Sequence, residues 1–288
     1  MYEVLTSVAT MASLLFLLSL VIATAQRWLT VVEDPRIDQV EEMLPHTNCG
    51  GCGYPGCRAF AEALVTGLTL PSKCSVSSPS VHVLIANYLG VDVGAFEKRV
   101  ARLACAGGDN VAPHRAHYIG TQTCASAALV AGGGKSCFWG CLGLADCQQA
   151  CTFDAITMND HRLPVVDEDL CTACGDCVRA CPKDLFSIQA ISHRLWVACR
   201  SQEAGDHVLE QCQVGCTACG RCAMDAPQQI QMIGNLPVVD YSRTGITAQA
   251  TQRCPTGAIV WLDAQSGPMK GQAAAKVVRQ SSLKDQGT

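Results

Sequence analysis

The hydrophobic pattern of the chain begins with a long apolar stretch, because no charged residue occurs between residues 4 and 26. About 20 apolar residues suffice to cross a bilayer as an α-helix. Arg27 and Arg36 follow the stretch, and no Lys or Arg precedes it. By the positive-inside rule, this asymmetry predicts a single-pass anchor over residues 1–26, with the bulk of the protein on the cytoplasmic side.

The alternative for this stretch is a cleaved secretory signal, since Ala23-Thr24-Ala25 resembles a cleavage site. A signal peptide carries a positively charged segment before its apolar run, and this chain lacks that segment. The pattern therefore favours an anchor over a signal.

Beyond the anchor, the spacing of apolar residues predicts short elements. The segment 37–48 is predicted to contain a short amphipathic helix that ends at Pro45, and residues 58–65 are predicted to form a second short helix. A connector of helix and Gly- and Ala-rich loop follows over residues 81–134. The tail at 264–288 has no periodicity and is predicted to be disordered.

Composition changes this picture, because 20 of the 288 residues are cysteine while aromatic residues make up only 5%. Cysteine-rich chains carry disulfides outside the cell and metal sites inside it. A cytoplasmic location therefore predicts metal binding. The net charge of -4 argues against a nucleic-acid partner, whose binding face would be basic.

Two copies of the sequence LPVVD, at residues 163–167 and 236–240, mark an internal repeat. The motif CTACGDCVRACP begins at Cys171, four residues after the first copy. In the same register after the second copy, the closing Cys-Pro pair of the motif matches Cys254-Pro255. The repeat therefore predicts two related modules.

The motif at residues 171–182 is typical of proteins that bind [4Fe-4S] clusters. Its first three cysteines serve one cluster, and the fourth, followed by Pro, serves the other cluster of a two-cluster ferredoxin. The segment 137–151 supplies the complementary cysteines. The predicted ligand sets are Cys151, Cys171, Cys174 and Cys177 for one cluster, and Cys137, Cys141, Cys147 and Cys181 for the other.

The second copy of the repeat keeps the ligands of one cluster and lacks those of its neighbour. Non-cysteine residues stand at all four positions of the lost site, namely Ala226, Thr244, Thr247 and Ala250. The retained site predicts a cluster on Cys216, Cys219, Cys222 and Cys254.

A separate group of cysteines with the spacing C-x2-C-x4-C-x16-C precedes both modules. Its glycines let the backbone turn tightly and point amides at sulfur. This group predicts a [4Fe-4S] cluster on Cys49, Cys52, Cys57 and Cys74. Four cysteines remain, and they either bind a fifth cluster or are ordinary buried thiols: Cys105, Cys124, Cys199 and Cys212.

Structural zinc is the alternative for all of these groups. Zinc sites usually combine two C-x2-C pairs across a spacer, or recruit His. Three consecutive C-x2-C steps closed by C-x3-C-P do not follow that scheme, so iron–sulfur clusters are favoured.

The order of these features resembles the RnfB family, the B subunits of Rnf complexes, which are called Rsx in some bacteria. An uncharged anchor is followed by LPHTNCGGCGYPGC, with its distant Cys74, and then by ferredoxin modules. The segments LACAGG, GGGKSCFWGCLG and VACRSQ resemble the longer form found in that family. The resemblance covers about residues 1–263.

This resemblance implies a bacterial inner-membrane complex that couples electron flow between ferredoxin (or flavodoxin) and NAD to Na+ or H+ translocation. The chain would transfer electrons through its clusters to other membrane and flavin- or NAD-binding subunits, with no catalytic side chain of its own. The alternative is a stand-alone, membrane-anchored ferredoxin-like adaptor for another dehydrogenase.

The expected fold class is α+β, with a transmembrane helix, a small α-helical [4Fe-4S] domain and tandem ferredoxin-like βαβ modules. The expected boundaries are 1–26 for the anchor, 27–80 for the four-cysteine domain, 81–134 for the connector, 135–195 for the two-cluster module, 196–263 for the degenerate module and 264–288 for the tail.

Overall fold

The computed structural model describes residues 2–29, 33–263 and 265–275 of the chain. Its first helix, α1 (Tyr2–Trp28), has 27 residues, none of which is buried. At about 1.5 Å per residue it is roughly 40 Å long, which matches the thickness of a bilayer. Among the described residues, it is the one helix long and apolar enough to span a membrane.

Three helices form a small domain after the anchor. The carboxylate of Asp34 accepts the backbone N–H of Arg36 at 2.9 Å, and this cap starts the first of them. The apolar faces meet in a core that includes Val40, Phe60 and Ile85, each at most 1% exposed. The helices are α2 (Pro35–Met43), α3 (Cys57–Val65) and α4 (Pro79–Leu89).

The next module contains two antiparallel ribbons. In one, β1 (Arg99–Leu103) pairs with β4 (Phe186–Ala190), so that Leu103 lies opposite Phe186. In the other, β2 (Ile156–Met158) pairs with β3 (Pro164–Val166). The helices of this part are α5 (Cys124–Ala128), α6 (Asp146–Gln149) and α7 (Asp176–Ala180).

Strand β1 corrects the prediction of a connector made only of helix and loop over residues 81–134. Pairing with β4 buries Val100 and Ala101, which are at most 2% exposed. The strand therefore exists because of a partner about 90 residues away, which local periodicity does not register.

The degenerate module contains a three-stranded sheet and a hairpin. In the sheet, β5 (Leu195–Val197) pairs with β8 (Ile259–Asp263), which pairs in turn with β9 (Gly267–Lys270). The hairpin joins β6 (Ile230–Ile233) to β7 (Leu236–Val239). The helices are α8 (Val208–Gln211) and α9 (Arg221–Asp225).

Strand β9 also corrects the prediction of a disordered tail over residues 264–288. Its ladder with β8 places Met269 opposite Trp261, so the segment joins the sheet. Residues 264 and 276–288 of the predicted tail lie outside the described residues.

The two CTACG loops, at residues 171–175 and 216–220, have the same local backbone conformation. Ala173 and Ala218 adopt φ of 58° and 57°, and the following glycines, Gly175 and Gly220, adopt 86° and 70°. Successive residues of this kind turn backbone N–H groups into a concave loop suited to negatively charged groups. Both loops therefore present cysteines in the same local conformation.

Candidate iron–sulfur sites

The 20 cysteines lie in five groups of four, and each group lines a separate cavity. All of them are free thiols rather than disulfides. The groups are named quartet A (Cys49, Cys52, Cys57, Cys74), quartet B (Cys151, Cys171, Cys174, Cys177), quartet C (Cys124, Cys141, Cys147, Cys181), quartet D (Cys105, Cys137, Cys199, Cys212) and quartet E (Cys216, Cys219, Cys222, Cys254).

Quartet A is held by the loop between α2 and α3. The side-chain oxygen of Asn48 accepts the N–H of Cys57 at 2.8 Å, which ties the loop to the start of α3. A Cβ at Gly56 would lie 2.9 Å from that oxygen, so a larger residue would require the Asn48 side chain to shift and would disturb this bond. The hydroxyl of Ser77 donates to the sulfur of Cys74 at 3.2 Å. The structure thus brings together the four cysteines that the spacing groups.

Quartets B and C exchange ligands across α6 and α7. Cys147 on α6 lines quartet C, and Cys151, just beyond the end of that helix, lines quartet B. Cys177 on α7 lines quartet B, and Cys181, just beyond the end of α7, lines quartet C. This reciprocal arrangement is the one that the Cys-Pro motif predicts.

Quartet C differs from its predicted ligand set by one cysteine, because Cys124 stands where the spacing predicts Cys137. The carboxylate of Asp146 accepts the backbone N–H groups of Cys124 and Ala125 at 2.7 and 3.0 Å. These bonds tie the start of α5 to the start of α6 and carry Cys124 to quartet C. The prediction of Cys137 in this set is therefore wrong.

Quartet D gathers cysteines from distant parts of the chain. The predicted fifth set contains Cys124, but in the structure Cys137 is its fourth member. A Cβ added at Gly107 would lie 3.0 Å from the sulfur of Cys212 and 3.7 Å from that of Cys105. The cavity would therefore be narrowed by any side chain at this position.

Quartet E includes Cys254, which stands alone in the sequence and lies in a core with Leu195, Ile230 and Ile259. Its sulfur faces the same cavity as the trio of the second CTACG motif. The hydroxyl of Thr256 lies 3.9 Å from that sulfur. Cys254 thus lies beside the three cysteines with which the repeat groups it.

The shape of the quartets fits a [4Fe-4S] cluster. In each quartet, four cysteines from different parts of the chain line one cavity. A structural zinc site, with zinc–sulfur bonds of about 2.3 Å, instead needs its ligands grouped tightly around a single ion. Within residues 2–29, 33–263 and 265–275, no three His, Cys, Asp or Glu side chains are grouped for a lone metal ion. Four sulfurs around a cavity are the donor set of a cubane.

Burial gives the quartets a strong requirement for positive charge. It raises the pKa of Cys141, Cys147 and Cys177 to about 12, and that of Cys222 to about 11. A thiolate in such surroundings is stable only beside a compensating cation. A bound iron core would provide that charge, since coordination deprotonates a thiol.

Quartets A, B and C are consecutive neighbours. Gly51, between two cysteines of quartet A, lies against quartet B, because a Cβ there would be 3.3 Å from the Cα of Cys174. A side chain at this position would push the two quartets apart. Quartets B and C are joined by α6 and α7, each of which carries a ligand for one and is followed by a ligand for the other.

The same line continues from quartet C to quartet E. The backbone N–H of Cys141 in quartet C points at the sulfur of Cys105 in quartet D, with 3.5 Å between nitrogen and sulfur. The N–H of Cys216 in quartet E points at the sulfur of Cys199 in quartet D at 3.3 Å. Quartet D therefore lies between quartets C and E.

Sequence reasoning missed Lys135, which lines the cavity of quartet D and is only 2% exposed. The preceding glycines, residues 132–134, indicate a flexible loop and draw attention away from the lysine. The available signal is its position two residues before Cys137, at the start of the cysteine-dense segment.

Comparisons with known proteins point to the same iron–sulfur chemistry. Residues 44–76 match the FeS family model, which describes an Fe-S cluster, and residues 163–191 match a 4Fe-4S binding domain. The chain is 34% identical over 239 residues to the B subunit of the Na(+)-translocating ferredoxin:NAD(+) oxidoreductase complex of Acetobacterium woodii, a match that covers 83% of this chain and 72% of the relative.

Two further relatives are matched over more of their length. The B subunit of the ion-translocating oxidoreductase complex of Methanosarcina acetivorans is 34% identical, and the match covers 88% of this chain and 96% of the relative. The B subunit of the proton-translocating ferredoxin:NAD(+) oxidoreductase complex of Clostridium ljungdahlii is 37% identical, with 88% and 89% covered.

Proposed function

Because the chain belongs to the family of B subunits of ion-translocating oxidoreductase complexes, we propose that it is the membrane-anchored electron-transfer subunit of an Rnf-type complex. The complex would couple electron flow between ferredoxin, or flavodoxin, and NAD to the translocation of Na+ or H+. The observation that carries this proposal is the line of five cysteine quartets behind an apolar helix.

Quartets A to E would each hold one [4Fe-4S] cluster, so that all 20 cysteines are ligands. When bound, such clusters supply one-electron transfer. The cysteine side chains would hold the clusters, and the surrounding core residues would limit the access of water, least so at quartet E, where Cys219 is exposed. Backbone N–H groups that point at ligand sulfurs, such as those of Ala101 to Cys171 at 3.4 Å and Leu185 to Cys181 at 3.5 Å, help to set the potentials.

The order of the quartets supports a single electron path with its ends at quartets A and E. Neighbouring quartets are linked in three ways. Gly51 of the quartet A loop lies against Cys174 of quartet B, quartets B and C share two helices, and backbone N–H groups point at ligand sulfurs between quartets C and D and between D and E. The lost site of the degenerate module lies outside this order, so its absence leaves the line uninterrupted. We propose that partner proteins exchange electrons with the clusters of quartets A and E.

The location follows from the anchor and its flanking charges. Helix α1 exposes its apolar side chains along its whole length, as a lipid-embedded helix does. Arg27 and Arg36 on its C-terminal side favour a cytoplasmic position for the quartets. The partners would be the other membrane and flavin- or NAD-binding subunits of the complex, together with a soluble ferredoxin or flavodoxin.

Anaerobic purification of the full-length chain from its native membrane tests this proposal. We expect the other subunits of the complex to co-purify, and about 20 iron atoms per chain, at four per cluster. A colourless, zinc-rich protein would exclude electron transfer. An iron-rich chain that solubilises without membrane partners would indicate a stand-alone adaptor.

A further inference from the structure

Lys135 occupies the junction between quartets C and D. Its ammonium donates a hydrogen bond to the carbonyl oxygen of Cys141, a quartet C residue, at 2.8 Å. It donates another to the carbonyl oxygen of Gly107, the residue that lies against the sulfurs of Cys105 and Cys212 in quartet D. The side chain also lines the quartet D cavity.

The charge of Lys135 is buried, and it forms no ion pair with a carboxylate in the part of the chain that the structure describes. Only 2% of the residue is exposed, and the ion pairs of the described residues do not include it. Two carbonyl groups accept two of its three N–H donors but do not neutralise its charge. Because an isolated buried cation is costly, the site calls for a negative group nearby.

The negative groups within reach are the ligand sulfurs and the carboxylate of Asp109, which is already hydrogen-bonded to His114 and lies 3.8 Å from Arg162. Lys135 lines the quartet D cavity together with Cys137, and its ammonium is hydrogen-bonded to the backbone of Cys141 in quartet C. One lysine therefore lies within electrostatic reach of two quartets. A thiolate-ligated cluster is a net anion, so it would complete the charge balance that the protein alone leaves open.

We propose that Lys135 is a positioning residue that acts through the clusters of quartets C and D and raises their reduction potentials. The proposal rests on the proposed function, because it requires clusters in these quartets. Reduction adds a negative charge to a cluster, and a fixed cation in a poorly screened interior stabilises the reduced form more than the oxidised form. An electron is thus more stable on the clusters of quartets C and D than on a cluster without such a cation.

The other quartets lack an equivalent charge among the described residues. Arginines lie near quartets A, B and E, but Arg58, Arg179 and Arg253 are 42%, 63% and 54% exposed at the side chain. Each also pairs with a carboxylate, such as Asp225 beside Arg253 at 2.6 Å. Solvent and the paired anions screen these charges. The contrast predicts that the reduction potentials of the clusters in quartets C and D lie above those of the other three.

Potentiometric titration of the anaerobically purified full-length chain, followed by EPR, tests the proposal. Lys135→Gln keeps an amide donor without the charge, and Lys135→Met removes both. We expect both variants to retain their iron and to shift at least one cluster about tenfold toward the oxidised form, which corresponds to about 59 mV for one electron.

The matched control is Lys183→Met. Lys183 borders the quartet C cavity and bonds the carbonyl oxygen of Phe138 at 2.8 Å, but this bond lies at the solvent-exposed surface. We expect a smaller shift than for either Lys135 variant, because water screens the lost charge.

Unchanged potentials in an iron-replete Lys135→Gln variant would overturn the proposal. If Gln and Met variants both lose iron, Lys135→Arg decides: retention of iron supports the role of the charge, and loss shows that Lys135 serves packing alone, which also overturns it. Low iron in the unmodified chain would instead contradict the proposed function, so the two failures are distinguishable.

Discussion

The loops that follow β3 and β7 occupy equivalent places in the two modules but have different contents. After β3, the loop presents the CTACG sequence and its cysteines to quartet B. After β7, residues 248–251 fold as a 3-10 helix, and Thr247 caps it by accepting the N–H of Gln249. The second loop thus satisfies its backbone with local hydrogen bonds instead of presenting sulfur.

The backbone explains why this site was lost as a unit. Ala173 and Gly175 have φ of 58° and 86° in the first loop. In register, Ile246 and Ala248 replace them, and neither has a positive φ. A β-branched residue disfavours the left-handed conformation that the ligand loop requires. Loss of the cysteines is therefore accompanied by loss of the loop shape.

Apolar packing has taken over the space. Ala250, which replaces a ligand, is 1% exposed and packs in a core with Leu195 and Ile259. The comparison shows that the degenerate module retains the hairpin of β6 and β7 and also quartet E, although side chains fill the position of its other cluster site. Each quartet is therefore a separable unit, which experiments can address singly.

The largest expected effect comes from combining substitutions across quartets. Cys124→Ala with Cys137→Ala removes one ligand from quartet C and one from quartet D, and we expect the loss of about eight iron atoms. Cys124→Ala with Cys181→Ala removes two ligands of quartet C alone, and we expect a loss of about four. Iron quantitation of anaerobic samples measures both.

The contrast between these double variants tests the grouping itself. Substitutions that act on one site are strongly non-additive, whereas those at separate sites add. A loss of about four iron atoms for the Cys124 and Cys137 pair would place both cysteines in one quartet, against the structure.

The second prediction restores the lost site. Cysteines at the four positions Ala226, Thr244, Thr247 and Ala250 supply ligands but leave the 3-10 helix in place, so we expect little added iron. Adding Ile246→Ala and Ala248→Gly permits the positive φ values of the first loop, and we expect a gain of about four iron atoms. Full iron uptake without the two backbone substitutions would show that loop shape does not limit this site.

How far the sequence predicts this arrangement depends on the distance between ligands. Spacing groups quartet A, the register of the repeat adds Cys254 to the trio of quartet E, and the Cys-Pro motif gives the exchange of Cys151 and Cys181. All three agree with the sets that line the cavities. The choice between Cys124 and Cys137 depends on the bonds from Asp146 to the start of α5, which no spacing reveals.

The strand β1 and the lysine of the junction have a similar explanation. The residues of β1 become a strand only against β4, and Lys135 becomes a buried charge only when segments near Gly107 and Cys141 converge on it. Both features arise from contacts between distant segments, and the local periodicity of the sequence carries no information about such contacts.

The smallest expected effect concerns the apolar filling of the lost site. Ala250→Leu adds volume to a closed core, and we expect destabilisation of about 1–3 kcal/mol in the free energy of unfolding. The matched control is Gln249→Leu, at an exposed neighbouring position, where a change within about 0.5 kcal/mol is expected. Urea denaturation followed through tryptophan fluorescence compares the two. Equal stability would show that Ala250 lies in a loosely packed space.

The position of the iron tests the central claim most directly. We expect electron cryomicroscopy of the anaerobic complex to show five cubane-shaped densities in a row, one in each of quartets A to E, with Cys137 and Cys199 bound to the same density. Four or fewer densities, single metal ions in the quartets, or Cys137 bound together with Cys181 would contradict the account.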